Sequence, residues 1–533
     1  MQQEYLPFRD TDYFSKLICD YLDRKPDLQQ FYNRFPVLDN FKSQIEEKAT
    51  SFNAQSRVIL SDTIKKQYGG LDTSEATVNN IESLKLEQTF TVTTGHQLNL
   101  YTGPLYFLFK IVSAINLAKQ LKTKHPNYNF VPVYWMATED HDFDEINYFN
   151  FKGKKFQWNR TSSGAVGELS TEGLHEVLEL FAQDLGESAN AKTLKQLFDD
   201  AYLKHDNLAD ATRFLANTLF KDYGLVIVDA NARALKQLFI PYVEKELTQQ
   251  ISHSTVGTTN DTLAGTCDAY NIQVNPRDIN LFYITKNLRE RIVFEDGIFK
   301  VLNTTLQWDK RELIKHLNEM PERFSPNVIM RPLYQEVILP NLCYIGGGGE
   351  LAYWLQLKAY FKAVAITFPM LLLRNSVLIK TEKQAEKLNK LNISNTDIFL
   401  KRDAFINRKV RQISNIDIDF SEQKTHLKSQ FENLYKLAEQ TDGSFIGAVK
   451  AQEEKQLKGL NKLEKRLLKA QKKALSDQVS RMTDIQNELF PNRSLQERNT
   501  NFSEFYLEYG SQLIPALIAA LKPLHQEFTI LTL

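Results

Sequence analysis

The sequence predicts an α/β fold, in which a parallel β-sheet is covered by helices and carries insertions and a helical arm. Apolar runs typical of buried strands alternate with helical segments across residues 90–368. The first unit, residues 90–147, has the strand–loop–helix–strand order that builds a parallel sheet. After Ser376 the chain becomes rich in Lys, Glu, Gln and Leu, and its later part has the 3–4 residue apolar spacing of a coiled coil.

The first unit contains two predicted strands and one helix. Residues 90–94 form a β-branched run that stops at Gly95, and residues 131–137 form a second apolar run. Between them, Pro104 suits the first turn of a helix, which the apolar spacing extends to about Leu121. Ligands of open parallel sheets bind beyond the carboxyl ends of the strands. The polar residues that follow both strands should therefore line one crevice.

The other core elements follow from the same patterns, and residues 1–88 predict a helical layer packed on the sheet. The predicted elements are a helical stretch at 193–223, a strand at 225–229 with a helix to about Gln250, an antiparallel insertion at 277–308 with a hairpin at Asp296-Gly297, a helix or tight connection at 331–340, a strand at 343–345, a helix from Glu350 to about Phe361, and a strand at 363–368.

The domain organisation follows from these changes in pattern. We expect residues 1–375 to form the core, with insertions at about 150–223 and 253–325, residues 376–492 to form the arm, and residues 493–533 to return to the core. Asp442-Gly443 marks a break between two arm helices. A heptad seam predicts a homodimer through the arm, although a helix of the same chain is an alternative cover. The seam residues are Leu475, Val479, Met482, Ile485 and Leu489.

Composition excludes several classes of protein. The 533 residues carry no net charge and are 42% hydrophobic, which excludes wholesale disorder and any global attraction to nucleic acid or to an anionic membrane. No apolar run approaches the length of a membrane span, and the N-terminus has no signal-peptide pattern. Cys19, Cys267 and Cys343 are far apart, which indicates a reducing cytoplasm rather than a disulfide framework or a zinc–thiolate site.

The first motif follows the first strand. Thr94-Gly95-His96-Gln97 together with Thr102-Gly103-Pro104 suits a nucleotide or phosphate cradle at a helix N-terminus, where free N–H groups favour anions. An ordinary strand–helix turn is the alternative. The pattern is neither GxGxxG nor GxxxxGK[ST], so it supports neither a dehydrogenase nor a P-loop NTPase.

The second motif, residues 139–145, places five carboxylates within seven residues at a strand end. Glu139, Asp140 and Asp142 suit orientation of an amine, or a divalent cation bound through oxygen ligands. His141 suits a general base or a hydrogen-bond donor. The alternative is a solvated loop whose aspartates cap a helix.

The third motif is Gly346-Gly347-Gly348-Gly349 followed by Glu350, and it suits close approach of backbone to a ligand. A flexible turn is the alternative. Arg331 and Gln335, upstream, would bring a cation and an amide to the same crevice, although Arg331 also suits a structural ion pair. The basic stretch 450–473 suits either nucleic acid or a solvated coiled-coil face.

Four segments resemble the bacillithiol biosynthesis cysteine-adding enzyme family over nearly the whole chain. They are TTGHQLNLYTGPLYFLFK, VPVYWMATEDHDFDEIN, SPNVIMRPLYQEVILPNLCYIGGGGELAYWLQL and LQER. Gly348 stands where the family more often has proline, and His96 where it often has glutamine. Both departures leave the loops intact but weaken the case for His96 as an essential catalyst.

The resemblance implies a Rossmann-like core similar to class I synthetases and nucleotidylyltransferases, with a coiled-coil arm used in dimerisation. It implies addition of L-cysteine to glucosaminyl-malate and an adenine nucleotide site (ATP or ADP), and it leaves the use of a divalent metal open. Amide formation requires an activated cysteine carboxylate, as an acyl-adenylate or acyl-phosphate. The alternative is a synthetase-derived RNA-binding protein that uses the basic arm.

These arguments give a candidate site without metal ligands. Arg374, after the last core strand, lies roughly where the lysine-rich loop of class I synthetases would fall. The candidates are Asp140, His141 and His96 for catalysis; Gln97, Glu139, Asp142, Arg331, Gln335 and Glu350 for substrate binding; and Thr94, Gly95, Thr102, Gly103, Gly346, Gly347, Gly348, Gly349 and Arg374 for nucleotide binding.

Overall fold

The computed structural model of the chain describes residues 2–533, which form four β-sheets surrounded by helices. The strands are β1 (Gln2–Leu6), β2 (Thr89–His96), β3 (Asn129–Met136), β4 (Tyr148–Phe151), β5 (Lys154–Gln157), β6 (Val226–Asp229), β7 (Leu281–Thr285), β8 (Leu288–Glu295), β9 (Ile298–Val301), β10 (Gln307–Trp308), β11 (Phe324–Pro326), β12 (Asn341–Gly346), β13 (Met370–Leu373), β14 (Val377–Lys380) and β15 (Phe528–Thr532).

The α-helices cover the sheets and build the arm. They are α1 (Lys16–Leu22), α2 (Phe41–Ser51), α3 (Ala54–Gln67), α4 (Glu75–Ser83), α5 (Tyr106–Lys124), α6 (Phe143–Ile146), α7 (Leu174–Leu185), α8 (Ala189–Phe198), α9 (Leu208–Phe220), α10 (Arg233–Gln249), α11 (Ile251–Thr266), α12 (Lys310–Glu319), α13 (Met330–Ile338), α14 (Gly348–Trp354), α15 (Lys358–Ala363), α16 (Glu382–Lys390), α17 (Asn395–Phe399), α18 (Arg402–Ile413), α19 (Ser421–Ala438), α20 (Gly443–Ala474), α21 (Ser476–Leu489), α22 (Gln496–Asn499), α23 (Phe502–Tyr509) and α24 (Leu513–Ala520).

The central sheet is parallel and has the strand order β13–β12–β2–β3–β6. Every residue of β2 is buried, as expected for a parallel strand covered on both faces. Numbered by their order along the chain, the five strands from β6 across to β13 are the third, second, first, fourth and fifth. The direction in which successive strands are added to the sheet therefore reverses between β2 and β12. This reversal opens a crevice at the carboxyl ends of the strands, where ligands of such sheets bind.

The predicted antiparallel insertion is confirmed and is larger than expected. Strands β7 to β10 pair in sequence, and β11 adds to the other edge of β7. At the β8–β9 hairpin, Asp296 and Gly297 both have positive φ, of 53° and 82°. Positive φ at both central residues is the requirement of a tight two-residue hairpin turn, which Asp-Gly satisfies.

A small third sheet joins the two ends of the described chain. Strand β15 lies between β1, with which it is antiparallel, and β14, with which it is parallel. The last residues also return to the core, because Asn116 of α5 donates hydrogen bonds to the carbonyls of Ile518 (2.9 Å) and Leu521 (2.7 Å). The sequence predicted neither β1 nor β14.

The arm is an antiparallel hairpin of α19 and α20, in which Asp442 caps α20 through the amide of Ser444 (2.8 Å). The 32 residues of α20 span about 48 Å. The predicted seam lies mostly on α21, where Met482, Ile485 and Leu489 are at most 2% exposed and α21 packs against α16, α18 and β14. Other elements of the same chain therefore cover this stripe. The homodimer stays a prediction, and the stripe does not support it.

Two predicted core elements are wrong. The helix expected from Glu350 to about Phe361 begins at Gly348, ends at Trp354 and is followed by the separate helix α15. The strand expected at residues 363–368 is a helix end and a loop, and the strand is β13, farther along. Ala365 has φ of 58°, which ends the helix, and Phe368 packs on Phe361 with ring centroids 5.0 Å apart. None of the helices in residues 2–533 combines the length and hydrophobicity needed to cross a membrane.

Candidate functional site

Parts of the three predicted loops line one cavity of about 570 Å³ beyond the carboxyl ends of β2 and β3, and the glycine-rich loop contributes only Glu350 to its wall. The residues after β2, the residues after β3 and the first turns of α5 and α14 line it, and the antiparallel insertion closes one side. The predicted residues in its wall are Gly95, His96, Gln97, Glu139, Asp140, His141, Arg331 and Glu350. The order of strands along the chain was therefore sufficient to bring these loops together.

Asp140 is held in place by its neighbours. Gln97 donates through Nε2 to Asp140 Oδ2 (3.0 Å) and to Glu145 Oε2 (2.8 Å), and the His141 amide donates to Asp140 Oδ1 (2.7 Å). Burial favours the neutral acid, but the hydrogen bonds from His141 and Gln97 and the charge of Arg289 outweigh it and lower the pKa of Asp140. Asp140 is therefore a fixed carboxylate, suited to an ammonium group.

His141 is bound by an arginine from the insertion. Arg289 Nη1 lies 2.6 Å from His141 Nδ1, and both side chains lie against the ring of Phe282. A guanidinium only donates, so Nδ1 must accept and the proton of the neutral imidazole is on Nε2. In this geometry His141 is a hydrogen-bond donor. The expected role as a base requires Arg289 to move first.

Glu139 and Asp142 both have partners within the protein. Glu139 forms an ion pair with Lys236 of α10, whose side chain is 1% exposed and also donates to the Phe324 carbonyl (3.0 Å). Burial lowers the pKa of Lys236, and Glu139 opposes this shift. Asp142 caps α6 by accepting from the Glu145 amide (3.4 Å) and is not part of the cavity wall. Within residues 2–533, no three His, Cys, Asp or Glu side chains form a group suited to a metal ion.

A buried lysine joins two of the loops at the floor of the cavity. Lys110 of α5 forms an ion pair with Glu350 and donates to the Gly95 carbonyl (2.6 Å), while Tyr344 donates to the second oxygen of Glu350 (2.9 Å). Burial lowers the pKa of Lys110, and Glu350 opposes this shift. The first and fourth strands of the sheet are thereby joined at the crevice through Lys110 and Glu350.

His96 is neutral and lacks a partner at one nitrogen. The residue is 7% exposed, and its Nε2 has no hydrogen-bond partner among the described residues. Its ring lies against Tyr106 and Phe107, with centroid distances of 5.3 and 5.1 Å. Burial, and then the charges of Lys110 and Arg374, lower the pKa of His96 well below its ordinary value. His96 therefore offers a lone pair or an N–H group but no charge.

Arg331 faces the cavity from an aromatic surround. Its guanidinium carbon lies 5.6–5.9 Å from the ring centroids of Trp135, Tyr344 and Trp354. Its Nη1 donates to Gln335 Oε1 (3.1 Å). Gln335 is fully buried and lies outside the cavity wall, so it positions Arg331.

Most of the predicted nucleotide-binding residues have structural contacts instead. Thr94 donates to the Ile345 carbonyl (2.8 Å), and the Gly103 carbonyl accepts from Asn501 (2.6 Å). A side chain at Gly346 would lie 2.9 Å from Glu350 Oε2, so close packing requires this glycine. Arg374 forms a buried ion pair with Glu497 (2.8 Å). Thr102, Gly103, Arg374 and Gly346 to Gly349 all lie outside the wall of the main cavity.

Sequence reasoning missed the basic partners of Glu139, His141 and Glu350. Lys110, Lys236 and Arg289 lie on two helices and an insertion strand, and no short motif contains them. A signal was present in one case, because Lys110 interrupts the apolar run Phe107–Val112 of a buried helix. A lysine in such a run needs a partner, since an unpaired buried charge is strongly disfavoured.

Two models of known protein families together match nearly the whole chain. Residues 1–375 match the model described as bacillithiol biosynthesis BshC, N-terminal Rossmann-like domain. Residues 377–533 match the model of the BshC C-terminal coiled-coil domain. The chain belongs to the bacillithiol biosynthesis BshC family. The resemblance inferred from the four segments is confirmed, and so is the Rossmann-like fold with a coiled-coil part.

Several BshC relatives match over nearly their full lengths. A protein of Flavobacterium johnsoniae is 61% identical over 100% of both chains, and one of Cytophaga hutchinsonii is 38% identical over 98% of this chain and 97% of its own. A Bacillus cereus protein is 29% identical over 93% and 94%. All three carry the name "Putative cysteine ligase BshC". This chain is accordingly an enzyme of the ligase class.

Proposed function

We propose that this ligase joins L-cysteine to glucosaminyl-malate in the last step of bacillithiol biosynthesis. Membership of the BshC family supports the pathway, and the name of the relatives supports cysteine as a substrate. The observation that carries the proposal is the charge arrangement of the main cavity. A fixed carboxylate at Asp140 and guanidinium groups at Arg289 and Arg331 suit the two charges of a free amino acid.

The side chains of the cavity have separate roles in this proposal. Asp140 holds the cysteine ammonium, and Arg331 attracts the carboxylate. His141 donates from Nε2, because Arg289 occupies its Nδ1. We therefore assign Asp140 and His141 to recognition rather than to covalent catalysis, and no activated nucleophile is required of the chain.

An adenine nucleotide at the same crevice is part of the proposal. The cavity volume and the presence of Arg277, Arg289 and Arg331 in its wall suit a phosphate-bearing ligand. When bound, the nucleotide would supply the activating group that amide formation requires at the carboxylate. His96 Nε2, buried and without a partner among the described residues, is suited to a polar group of that ligand. No metal ligand is assigned.

We further propose that the enzyme works in the cytoplasm as a homodimer through the arm. All three cysteines are free, which supports a reducing compartment. Leu434, Leu437, Phe445 and Ile446 near the turn between α19 and α20 are 41%, 53%, 43% and 39% exposed, and a group of exposed apolar side chains at one end of the hairpin favours a protein contact. These residues replace the α21 stripe as the expected interface.

A thiol profile of cells carrying single variants tests the function. Asp140→Asn and His141→Ala should lower the bacillithiol level while glucosaminyl-malate accumulates. Each lost charge-assisted contact reduces binding about ten- to a hundredfold. Asp142→Asn is the matched control, since Asp142 caps α6 outside the cavity. Normal bacillithiol in both site variants, with folded protein by circular dichroism, would contradict the proposal.

A further inference from the structure

A second cavity of about 320 Å³ adjoins the main one. Gln97 and Tyr106 line both cavities, so the two spaces adjoin at these side chains. The turn before α5, strand β4 and the end of α22 enclose it. Its polar wall residues include Gln97, Asn99, Glu145, Tyr148 and Arg498.

One buried side-chain oxygen in this wall, Oδ1 of Asn99, receives no hydrogen bond from residues 2–533. Asn99 is 7% exposed, and its Nδ2 donates to the Glu145 carbonyl (3.1 Å). Its Oδ1 is buried and has no partner among residues 2–533. A buried acceptor without a donor is disfavoured, and native proteins rarely leave one unsatisfied. A ligand with hydroxyl or amine donors would satisfy it.

The rest of the wall combines amide groups with aromatic rings. Asn150 and Asn499 offer amide donors and acceptors. The rings of Tyr106 and Tyr148 each carry a cation over one face, Arg374 at 4.9 Å and Lys155 at 4.1 Å, so only the opposite faces are left for a ligand. Glu145 adds a carboxylate beside Gln97, which opposes a phosphate and favours an amine. The combination points to a sugar that bears an amino group.

The remaining charged side chain in the wall, Arg498, belongs to the LQER segment at residues 495–498. Gln496 and Glu497 are buried and bind the backbone of β14, at Ile379 (2.9 Å) and Val377 (2.9 Å). Arg498 is exposed in the wall of the second cavity and forms no ion pair within residues 2–533. A free guanidinium beside a sugar-sized cavity suits an acidic group on the ligand.

We propose that the second cavity binds an amino sugar carrying a carboxylate-bearing substituent, with Arg498 as the carboxylate-reading residue. The inference rests on the proposed function and deepens it, because it places the amine substrate in a cavity of its own. Gln97 binds both Asp140 and Glu145, so the sugar amine is placed at the junction of the two cavities. The amine then faces the cavity proposed to hold the activated cysteine carboxyl group. Its attack on that carbonyl carbon forms the amide bond and releases the activating phosphate or AMP.

Binding of two probes to the full-length chain tests the proposal. The probes are methyl glucosaminide, which has only the sugar and amine, and glucosaminyl-malate, which adds the carboxylates. Tyr148→Ala should weaken the binding of both about tenfold. Arg498→Gln should weaken glucosaminyl-malate alone, about ten- to a hundredfold, down to the affinity of methyl glucosaminide. Titration calorimetry measures both.

Lys154→Ala is the control, because Lys154 is exposed on the same β4–β5 hairpin and outside both cavities. Unchanged affinities in Tyr148→Ala and Arg498→Gln, or equal loss of both probes in Arg498→Gln, would overturn the inference. Absence of binding to the wild-type chain would also overturn it. If the probes bind as expected but cells lacking the gene contain normal bacillithiol, the proposed reaction is contradicted and the proposed sugar site is not.

Discussion

The buried imidazole of His96 should make the protein less stable in mild acid, and His96→Gln should remove this dependence. His96 is 7% exposed, and burial lowers its pKa well below the ordinary 6.5. As the pH falls, the unfolded chain therefore binds a proton that the folded chain does not. The stability contributed by neutral His96 is complete above pH 6.5 and declines below it, until the folded-state pKa is reached.

The size of the effect follows from the unfolded-state pKa. At pH 7.5 the proton uptake of an unfolded histidine changes the free energy of unfolding by less than about 0.1 kcal/mol, and at pH 5.5 by about 1.4 kcal/mol. Asp140 acts in a separate window, because its lowered pKa affects stability only as the pH falls below 3.8. A glutamine at position 96 adds a constant offset but no proton uptake.

Urea unfolding followed by tryptophan fluorescence measures the difference, since Trp135 of β3 is buried beside the site. The wild type should lose about 1.4 kcal/mol more than His96→Gln between pH 7.5 and 5.5. His175→Gln is the control, since the His175 side chain is 66% exposed and solvated in both states. Equal pH slopes in wild type and His96→Gln would refute the reasoning.

Three further predictions concern the buried ion pair and the arm. Lys110→Met should lower the free energy of unfolding by about 1–3 kcal/mol, because Glu350, which is 29% exposed, loses a charge-assisted hydrogen bond. Adding Glu350→Leu should recover part of that loss, and strictly additive losses would speak against the pairing. Leu437→Glu should convert the expected homodimer to monomer in sedimentation, and an unchanged mass would place the interface elsewhere. The chain should bind RNA only weakly at physiological salt, and Lys465→Glu should leave that weak binding unchanged. Salt-dependent RNA binding that is lost in Lys465→Glu would instead support an RNA function.

Local sequence patterns predicted the parts of the core that depend on neighbours in the chain. The first strand–helix–strand unit, the Asp296-Gly297 hairpin and the break at Asp442 all follow from periodicity and turn chemistry. The strand placed at residues 363–368 failed because a short buried apolar run has no period that separates strand from loop. Strand β1 was missed because its partner β15 lies at the opposite end of the chain.

The sequence predicted which loops form the candidate site, but it did not predict which side chains from other elements pair with them. Parallel strands share one carboxyl edge, so Gly95 and Asp140 had to meet. The orientation of His141 depends on Arg289, which folding of the insertion brings from 148 residues away. Such pairings are set by tertiary structure, and one sequence contains no local signal for them.

The sheet of β1, β15 and β14 has a consequence for biogenesis. Gln2 pairs with Thr532, so the partner of β1 is synthesised 530 residues after it. At about 5–20 residues per second, translation leaves β1 unpaired for roughly half a minute to two minutes. During that interval a strand edge is open to other chains. Nascent protein that stalls before residue 528 should therefore depend on chaperones more than the finished enzyme does.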